Sequence, residues 1–313
     1  MTPALQSILS PAGPDAVVLA RLAWLLFGAG ALIFLLVAVL AVAAVRGRRG
    51  KSWSRWLVVG GGLVVPIPLL AALMAWSGWQ ASHLAWPFSG AARIHVSVTA
   101  HMWWWEVRYR DTRSGRQAVL ANEIRLPAGE RVYLALASAD VLHAFWVPAL
   151  GGKVDMVPGR LHGLTLQADT PGHYRAPCAE YCGTQHTGMA LDVLVQPPAA
   201  FDAWLAQQAS PATPAPQAVV SATVARGRQV FLAARCNACH AVRGVAEGAT
   251  LGPDLTHLAS RRSLAAGTLP MTRAALLGWI ANPQAAKPGA RMPPSSLPPE
   301  DLQALAAWLE SLR

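Results

Sequence analysis

Hydrophobic and polar positions divide this chain into stretches of different period. From Leu22 to Val45 no charged residue occurs, and the run is longer than the ~20 residues a helix needs to cross a bilayer core. A second uncharged run goes from Trp56 to Trp79. Pro66 and Pro68 are predicted to kink it, which a membrane helix tolerates where neighbours satisfy the freed carbonyls. Trp53, Trp56, Trp76 and Trp79 stand where interfacial aromatics gather. From residue 93 to 196 the pattern turns to short β-rich runs broken by Pro, Gly, Asp or Asn, as in "RIHVSVTAHMWWWEVRYR" and "MALDVLVQ". Many short strands at this spacing predict a sandwich or barrel. Helical spacing returns only beyond residue 198. Phe201 to Gln208 reads as a short helix, and the Pro/Ala/Ser run of residues 209–218 as an extended linker. "TVARGRQVFLAARC" is amphipathic. "SLPPEDLQALAAWLESL" has prolines and acids at its start and an apolar stripe, the signature of a capped helix.

Composition supports a membrane part. The 313 residues are 53% hydrophobic and only 13% charged, against ~25% charged in ordinary soluble domains. Between the apolar runs lie Arg46, Arg48, Arg49, Lys51 and Arg55, so the positive-inside rule places this loop in the cytoplasm and both chain ends outside. A cleaved signal peptide does not fit the first run, which is too long and whose leading sixteen residues lack a basic start. The formal net charge is +10, but the remaining basic residues are scattered and no nucleic-acid module is present. The expected organisation is an outer tail (1–16), a transmembrane hairpin (17–85), a β-domain (86–208), a linker (209–221) and a helical domain (222–313).

The four cysteines form two close pairs. In "CAEYCGTQHTGM", Cys178 and Cys182 precede His186 and Met189. Imidazole, thiolate and a weak thioether are the donors of copper electron-transfer sites, and His143 in "ADVLHAFWVP" is the best candidate for a second imidazole. A mononuclear blue-copper site uses one cysteine, whereas two thiolates on one loop can bridge two coppers. A disulfide and a Cys/His zinc site remain open alternatives for these residues. The second pair lies in "CNACH", residues 236–240, and Cys-x-x-Cys-His is the attachment signature of c-type haem. Cys236 and Cys239 supply the thioethers, and His240 is brought under the ring as an iron ligand. Met292 in "KPGARMPP" is the candidate sixth ligand and gives a carrier-range potential. Met271, before "TRAALLGWI", is assigned to packing. A redox Cys-x-x-Cys gains nothing from the histidine that follows.

"LHAFWVP", "KVDMVPGR", "PGHYRAPCAEYCGTQHTGM" and "WWWEVRY" together resemble subunit II of the haem–copper cytochrome c oxidases, over roughly residues 17–208. The region 222–313 is similar to class I cytochrome c. The resemblance implies a multi-domain chain: a two-helix transmembrane hairpin, an all-β cupredoxin-like domain holding a binuclear CuA centre, and an all-α cytochrome c domain with covalent haem c. Carried over by motif, the copper ligands are His143, Cys178, Cys182, His186, Met189 and the backbone carbonyl of Glu180. The Glu180 carboxylate is directed to a Mg or Mn ion shared with subunit I, Trp103 receives electrons, and Pro253 packs on the histidine side of the haem.

On a strand, Trp103 and Trp105 share one face and Trp104 takes the other. Asp155 reads as a solvated loop charge rather than a docking residue. His257 reads as an ordinary surface or supporting residue, and His83, His95, His101, His162 and His173 as structural.

The implied function is subunit II of a terminal oxidase in a bacterial plasma membrane, with both outer domains on the periplasmic side. Its expected partners are subunit I, which carries the oxygen chemistry and proton pumping, subunit III, and a donor such as a cytochrome or bc1-type complex. The rival readings are a CuA-bearing subunit of a nitric oxide reductase and a membrane-tethered electron carrier without a catalytic partner. A quinol oxidase subunit shares the fold but lacks these ligands.

Overall fold

A computed structural model describes residues 6–47, 55–83, 92–212 and 221–313 of the chain. Trp53, the basic residues Arg48, Arg49 and Lys51, the 85/86 boundary, the His83 side chain and most of the expected linker lie outside the described residues.

The apolar runs form helices. Helix α1 spans Pro14–Val45, starting eight residues before the uncharged run so that it includes Asp15 and Arg21. Its Leu, Ile, Phe and Val side chains stay uncovered by protein; Phe34, for example, is 71% exposed. A helix apolar all round needs a surrounding apolar medium. The second run is a π-helical stretch, Leu57–Val64, followed by α2, Pro66–His83. Pro66 and Pro68 have no N–H to give, and their rings crowd the carbonyls four residues back. The chain answers by widening its turn, and the Val65 N–H donates to the Gly60 carbonyl five residues back. Both helices are long and apolar enough to cross a membrane.

The β-region is a sandwich. One sheet runs β3 (Gln117–Ala121), β2 (Trp104–Asp111), β1 (Ile94–His101), β5 (Arg131–Ser138) and β8 (His162–Gln167); the other runs β4 (Glu123–Pro127), β10 (Ala190–Gln196) and β9 (Gly172–Pro177). A short ladder joins β6 (His143–Phe145) to β7 (Val154–Met156). Strand β1 is antiparallel to β2 and parallel to β5, and β10 is parallel to β4. Alternation sets the inner face: Ile94, Val96, Val98 and Ala100 on β1 meet Trp105, Val107 and Tyr109 on β2 and Val132, Leu134 and Leu136 on β5, all buried.

The aromatic run corrects one expectation. Strand β1 ends at His101 and β2 begins at Trp104, so Met102 and Trp103 form the hairpin turn. Trp103 therefore shares no strand face with Trp105, because pleat alternation does not carry through a turn. Trp105 is core, and Trp104 stacks on His101 at 4.3 Å.

Two additions close the sandwich. Helix α3 (Pro198–Gln208) lays Phe201 and Trp204 beside Tyr109, with ring centroids 6.3 and 5.3 Å away. The Tyr109 hydroxyl donates to the Arg125 carbonyl and accepts from the Arg125 N–H. Near the start of the chain, the Ala12 N–H donates to the Ala149 carbonyl, and the Ala12 carbonyl accepts from Asp169. The end of the presumed tail is thus stitched to the sandwich.

The helical region contains α4 (Ala222–Ala233), α5 (Arg273–Ala281), the single turn α6 (Pro283–Ala286) and α7 (Pro299–Leu309). Ser221 caps α4 by accepting from the Val224 N–H, and Thr272 caps α5 from Ala275. Helix α7 begins on a proline with Glu300 and Asp301 in its first turn, where acids complement the helix dipole. Helices α4 and α7 cross at Gly227. A Cβ there would lie 2.0 Å from the Ala304 carbonyl oxygen, so only glycine lets the backbones approach this closely. Phe231 and Trp308 pack beside the crossing at 4.9 Å. A small hairpin pairs β11 (Ser263–Leu264) with β12 (Leu269–Pro270).

Candidate metal and haem sites

The loop from Cys178 to Met189 connects β9 to β10, and its ends are tied by the Cys178 N–H donating to the Met189 carbonyl. Inside it, His186, Gly188 and Met189 donate backward to Gly183, Gln185 and His186, coiling the chain tightly. This coiling turns both sulfurs inward. Cys178 Sγ and Cys182 Sγ are 3.8 Å apart, far beyond the ~2.05 Å of a disulfide, and all four cysteines of the chain are free. His143 opens β6, fully buried, and its Nδ1 lies 3.7 Å from Cys178 Sγ. His186 Nδ1 lies 3.6 Å from Cys182 Sγ, and Met189 Sδ 4.0 Å from the same sulfur. The Glu180 carbonyl is 3.3 Å from Cys178 Sγ. The ligating atoms of His143, Cys178 and Cys182 all fall within 4.8 Å of one another.

The donor chemistry fits a cationic occupant. The thiol of Cys182 stabilises a Cys178 thiolate, burial works against it, and His143 and the Glu180 backbone assist, so Cys178 is held well below an ordinary thiol. That same thiolate, together with burial, pushes Cys182 far up. Two thiolates this close need a positive charge between them, and soft sulfur with imidazole suits copper. Burial alone would lower His143, but Cys178 and Asp140 outweigh it and raise it. The Asp140 carboxylate lies 3.0 Å from His143 Nε2, which turns Nδ1 toward the sulfurs. Asp140 also accepts from the Met102 and Val141 N–H groups, and it was not singled out in the sequence. Its signal was an acid three positions before His143.

Trp103 touches this loop directly: its indole Nε1 donates to the Cys182 carbonyl at 2.8 Å. The Glu180 carboxylate accepts from Lys153, which also pairs with Asp155, so Asp155 is an ion-pair partner rather than a lone solvated charge.

The second cysteine pair is organised locally. Cys236–Ala238 is a 3-10 turn, and the Cys239 and His240 N–H groups both donate to the Cys236 carbonyl. His240 Nδ1 donates to the Pro253 carbonyl at 2.8 Å, leaving Nε2 as the free lone pair. Burial lowers His240 and keeps the neutral imidazole that ligates iron. Gly252 lies flat against that ring, where a Cβ would sit 2.7 Å from its Cε1. Half-exposed thiols beside an imidazole held by one nitrogen fit a covalently attached haem. Met292 lies half-buried in the loop before α7, and no hydrogen bond joins it to His240 among the described residues; its carbonyl accepts from Gln284. Met271 packs against the helical core.

Among the described residues, three further histidines have hydrogen-bond partners. His95 contacts the Ala92 carbonyl, His162 the Asp155 carbonyl, and His173 the Asp192 carboxylate. His257 requires a correction. It is buried rather than on the surface, and its Nε2 donates to the Ser210 carbonyl, anchoring the segment that follows α3.

Comparison with known proteins agrees with this geometry. Residues 94–196 match the family of the periplasmic domain of cytochrome c oxidase subunit II, and residues 224–313 match the cytochrome c family. Cytochrome c oxidase subunit 2 of Alkalihalophilus pseudofirmus is 36% identical over 228 residues, covering 72% of this chain and 64% of that protein. The subunit 2 of Bacillus sp. PS3 is 31% identical over 70% of this chain and 62% of its own length. The chain thus spans less than two thirds of either relative. The solved periplasmic domain of the Bradyrhizobium japonicum oxidase subunit II is 27% identical, covering 37% of this chain and 94% of that one, with a TM-score of 0.34. A sandwich with five metal-donor side chains converging at one loop, followed by a helical module with its Cys-x-x-Cys-His turn, thus joins two families in one chain: residues 94–196 belong to the family of the periplasmic domain of cytochrome c oxidase subunit II, and residues 224–313 to the cytochrome c family.

Proposed function

We propose that this chain is the electron-relaying subunit II of a terminal cytochrome c oxidase in a bacterial plasma membrane. The observation that carries this reading is the convergence of two unbonded sulfurs, 3.8 Å apart, with one imidazole Nδ1 beside each. His143, Cys178, Cys182, His186, Met189 and the Glu180 carbonyl hold a CuA pair. Cys236 and Cys239 would hold haem c through thioethers, and His240 and Met292 would supply its iron ligands. When bound, these groups supply one-electron storage, the haem as first acceptor and the copper pair as second. The chain's own residues do the rest. Asp140 fixes the His143 ring, Pro253 fixes the His240 ring, and the buried Cys178, Cys182 and Met189 keep water from the sulfurs. Trp103, bonded to the Cys182 carbonyl, is the contact through which charge reaches the loop.

Residues 17–85 anchor the chain, 86–208 and 222–313 form the two outer modules, and 209–221 link them. Subunit I carries the oxygen chemistry and pumping, with subunit III alongside and a cytochrome or bc1-type complex as donor. The Glu180 carboxylate, paired with Lys153 in this structure, would be the protein ligand to a Mg or Mn ion shared with subunit I.

Metal analysis and spectroscopy of the purified membrane complex test this. Two coppers per chain, a near-infrared copper band, a c-haem band and co-purifying haems of a second subunit are expected. Fewer than two coppers, or a Cys178–Cys182 disulfide in the mass spectrum, would overturn it.

A further inference from the structure

The helical domain meets the sandwich on the copper-loop side, and a buried lysine stands at the centre of the contact. Lys287 follows α6 and is 3% exposed. Its Nζ donates to three backbone carbonyls, those of Trp103 at 2.8 Å, Gly188 at 2.8 Å and Ala265 at 2.9 Å. The protonated amine has three N–H groups and no acceptor, so the three carbonyls match its donors one for one, while burial lowers Lys287 to about 7. No carboxylate lies within ion-pair distance of it among the described residues. Two of the three carbonyls belong to the sandwich, one on the Trp103 turn and one on the copper loop. A lysine that merely braced its own loop would not need them.

The surrounding contacts follow the same plan. The chain after Lys287 passes over the Trp103 indole so closely that a Cβ on Gly289 would lie 3.3 Å from the ring. The hairpin β11–β12 continues the seam. The Ala190 N–H donates to the Ala266 carbonyl, the Thr268 hydroxyl donates to the Gly188 carbonyl, and the Arg262 N–H donates to the Glu123 carboxylate.

We propose that Lys287 is the positioning residue that latches the helical domain onto the copper-loop face. In the latched state the 287–289 segment covers Trp103, so charge arrives from the fused domain and a separate carrier protein is kept off that indole. The inference rests on the electron-relay reading above for its purpose, but the latch itself is a statement about two protein surfaces.

Hydroxyl-radical footprinting and hydrogen exchange on the full chain in its complex test the latch, comparing wild type with Lys287→Met, which keeps the length and removes the donors. Trp103 should be protected in the wild type and oxidised at least fivefold more in the variant, while exposed Tyr181 serves as an unchanged reference. Exchange across 188–190 and 262–270 should rise at least tenfold, with α4 and α7 unchanged. A variant with unaltered Trp103 oxidation and seam exchange overturns the latch. So does one in which α4 and α7 loosen equally, since that reports a role in folding alone. Thr268→Val, which removes one seam bond at an exposed site, should raise Trp103 oxidation about twofold, and no rise there counts against the latch even if Lys287→Met does not accumulate. Footprinting reads the protein surfaces directly, so a missing near-infrared copper band sinks the relay reading without obscuring this result.

Discussion

The two cysteine pairs of this chain are built in opposite ways. Cys178 and Cys182 are part of the sandwich core, contiguous with Trp105, Phe145 and Leu191, and their partners come from β6 and from the β9–β10 loop. Every donor is placed by the fold. Cys236 and Cys239 sit half-exposed on one turn, and His240 is their neighbour in sequence. Here the chain supplies a short motif, and the haem proposed for it would add the packing that the half-exposed thiols lack. A donor set assembled by tertiary structure stands ready without its metal, whereas a local motif depends more on the group it would hold.

The largest expected effect tests that contrast. Replacing Cys236 and Cys239 together with alanine should abolish the cooperative melting of the helical domain in calorimetry, because the haem proposed for the Cys236–His240 turn could then no longer be attached. The near-infrared copper band should survive. A helical domain that still melts cooperatively would break the comparison.

Next in size is Asp140→Asn. It leaves the sandwich intact but loosens the His143 ring, so copper affinity should fall about 10–100-fold in a chelator competition, the usual effect of losing such a supporting carboxylate. Affinity equal to wild type would mean that the buried packing of His143, not Asp140, orients the ring.

The smallest effect concerns the scaffold away from both sites. Burial alone would raise the Asp111 carboxyl, but Arg93, the Ser114 hydroxyl and the Arg113 and Ser114 N–H groups outweigh it and hold it well below the carboxylate range. A depressed folded-state pKa contributes stability above the unfolded value near 4, and that contribution is lost as pH falls toward the folded value. Asp111→Asn should therefore cost about 1–3 kcal/mol at pH 7, as expected for a hydrogen bond to a charged group. The gap in melting temperature to wild type should close below about pH 3. A gap that persists in acid would assign the effect to packing.

The particular residues show where sequence reading carries and where it stops. Alternation in Ile94–Ala100 and the uncharged runs named the strands and spans, because burial on one face or in lipid leaves a period that neighbours in sequence display. The convergence of Cys178, Cys182, His186 and Met189 was legible for the same reason, since they share one loop. Trp103 was misplaced on a strand because a two-residue hairpin turn inside an aromatic run carries no Gly, Pro or Asn to mark it. His257 was misjudged because its partner, the Ser210 carbonyl, is 47 residues away.

By itself the sequence determined two membrane-length helices, a β-rich module, a helical module, and the two cysteine motifs proposed to hold metal and haem, all features expressed within short stretches of chain. Only the tertiary structure decided that Asp140 steers His143, that Gly227 lets two helices touch, and that Lys287 joins the modules over Trp103. The acceptors of Lys287 are backbone carbonyls, which every residue possesses, so no side-chain pattern records them until the fold brings them together.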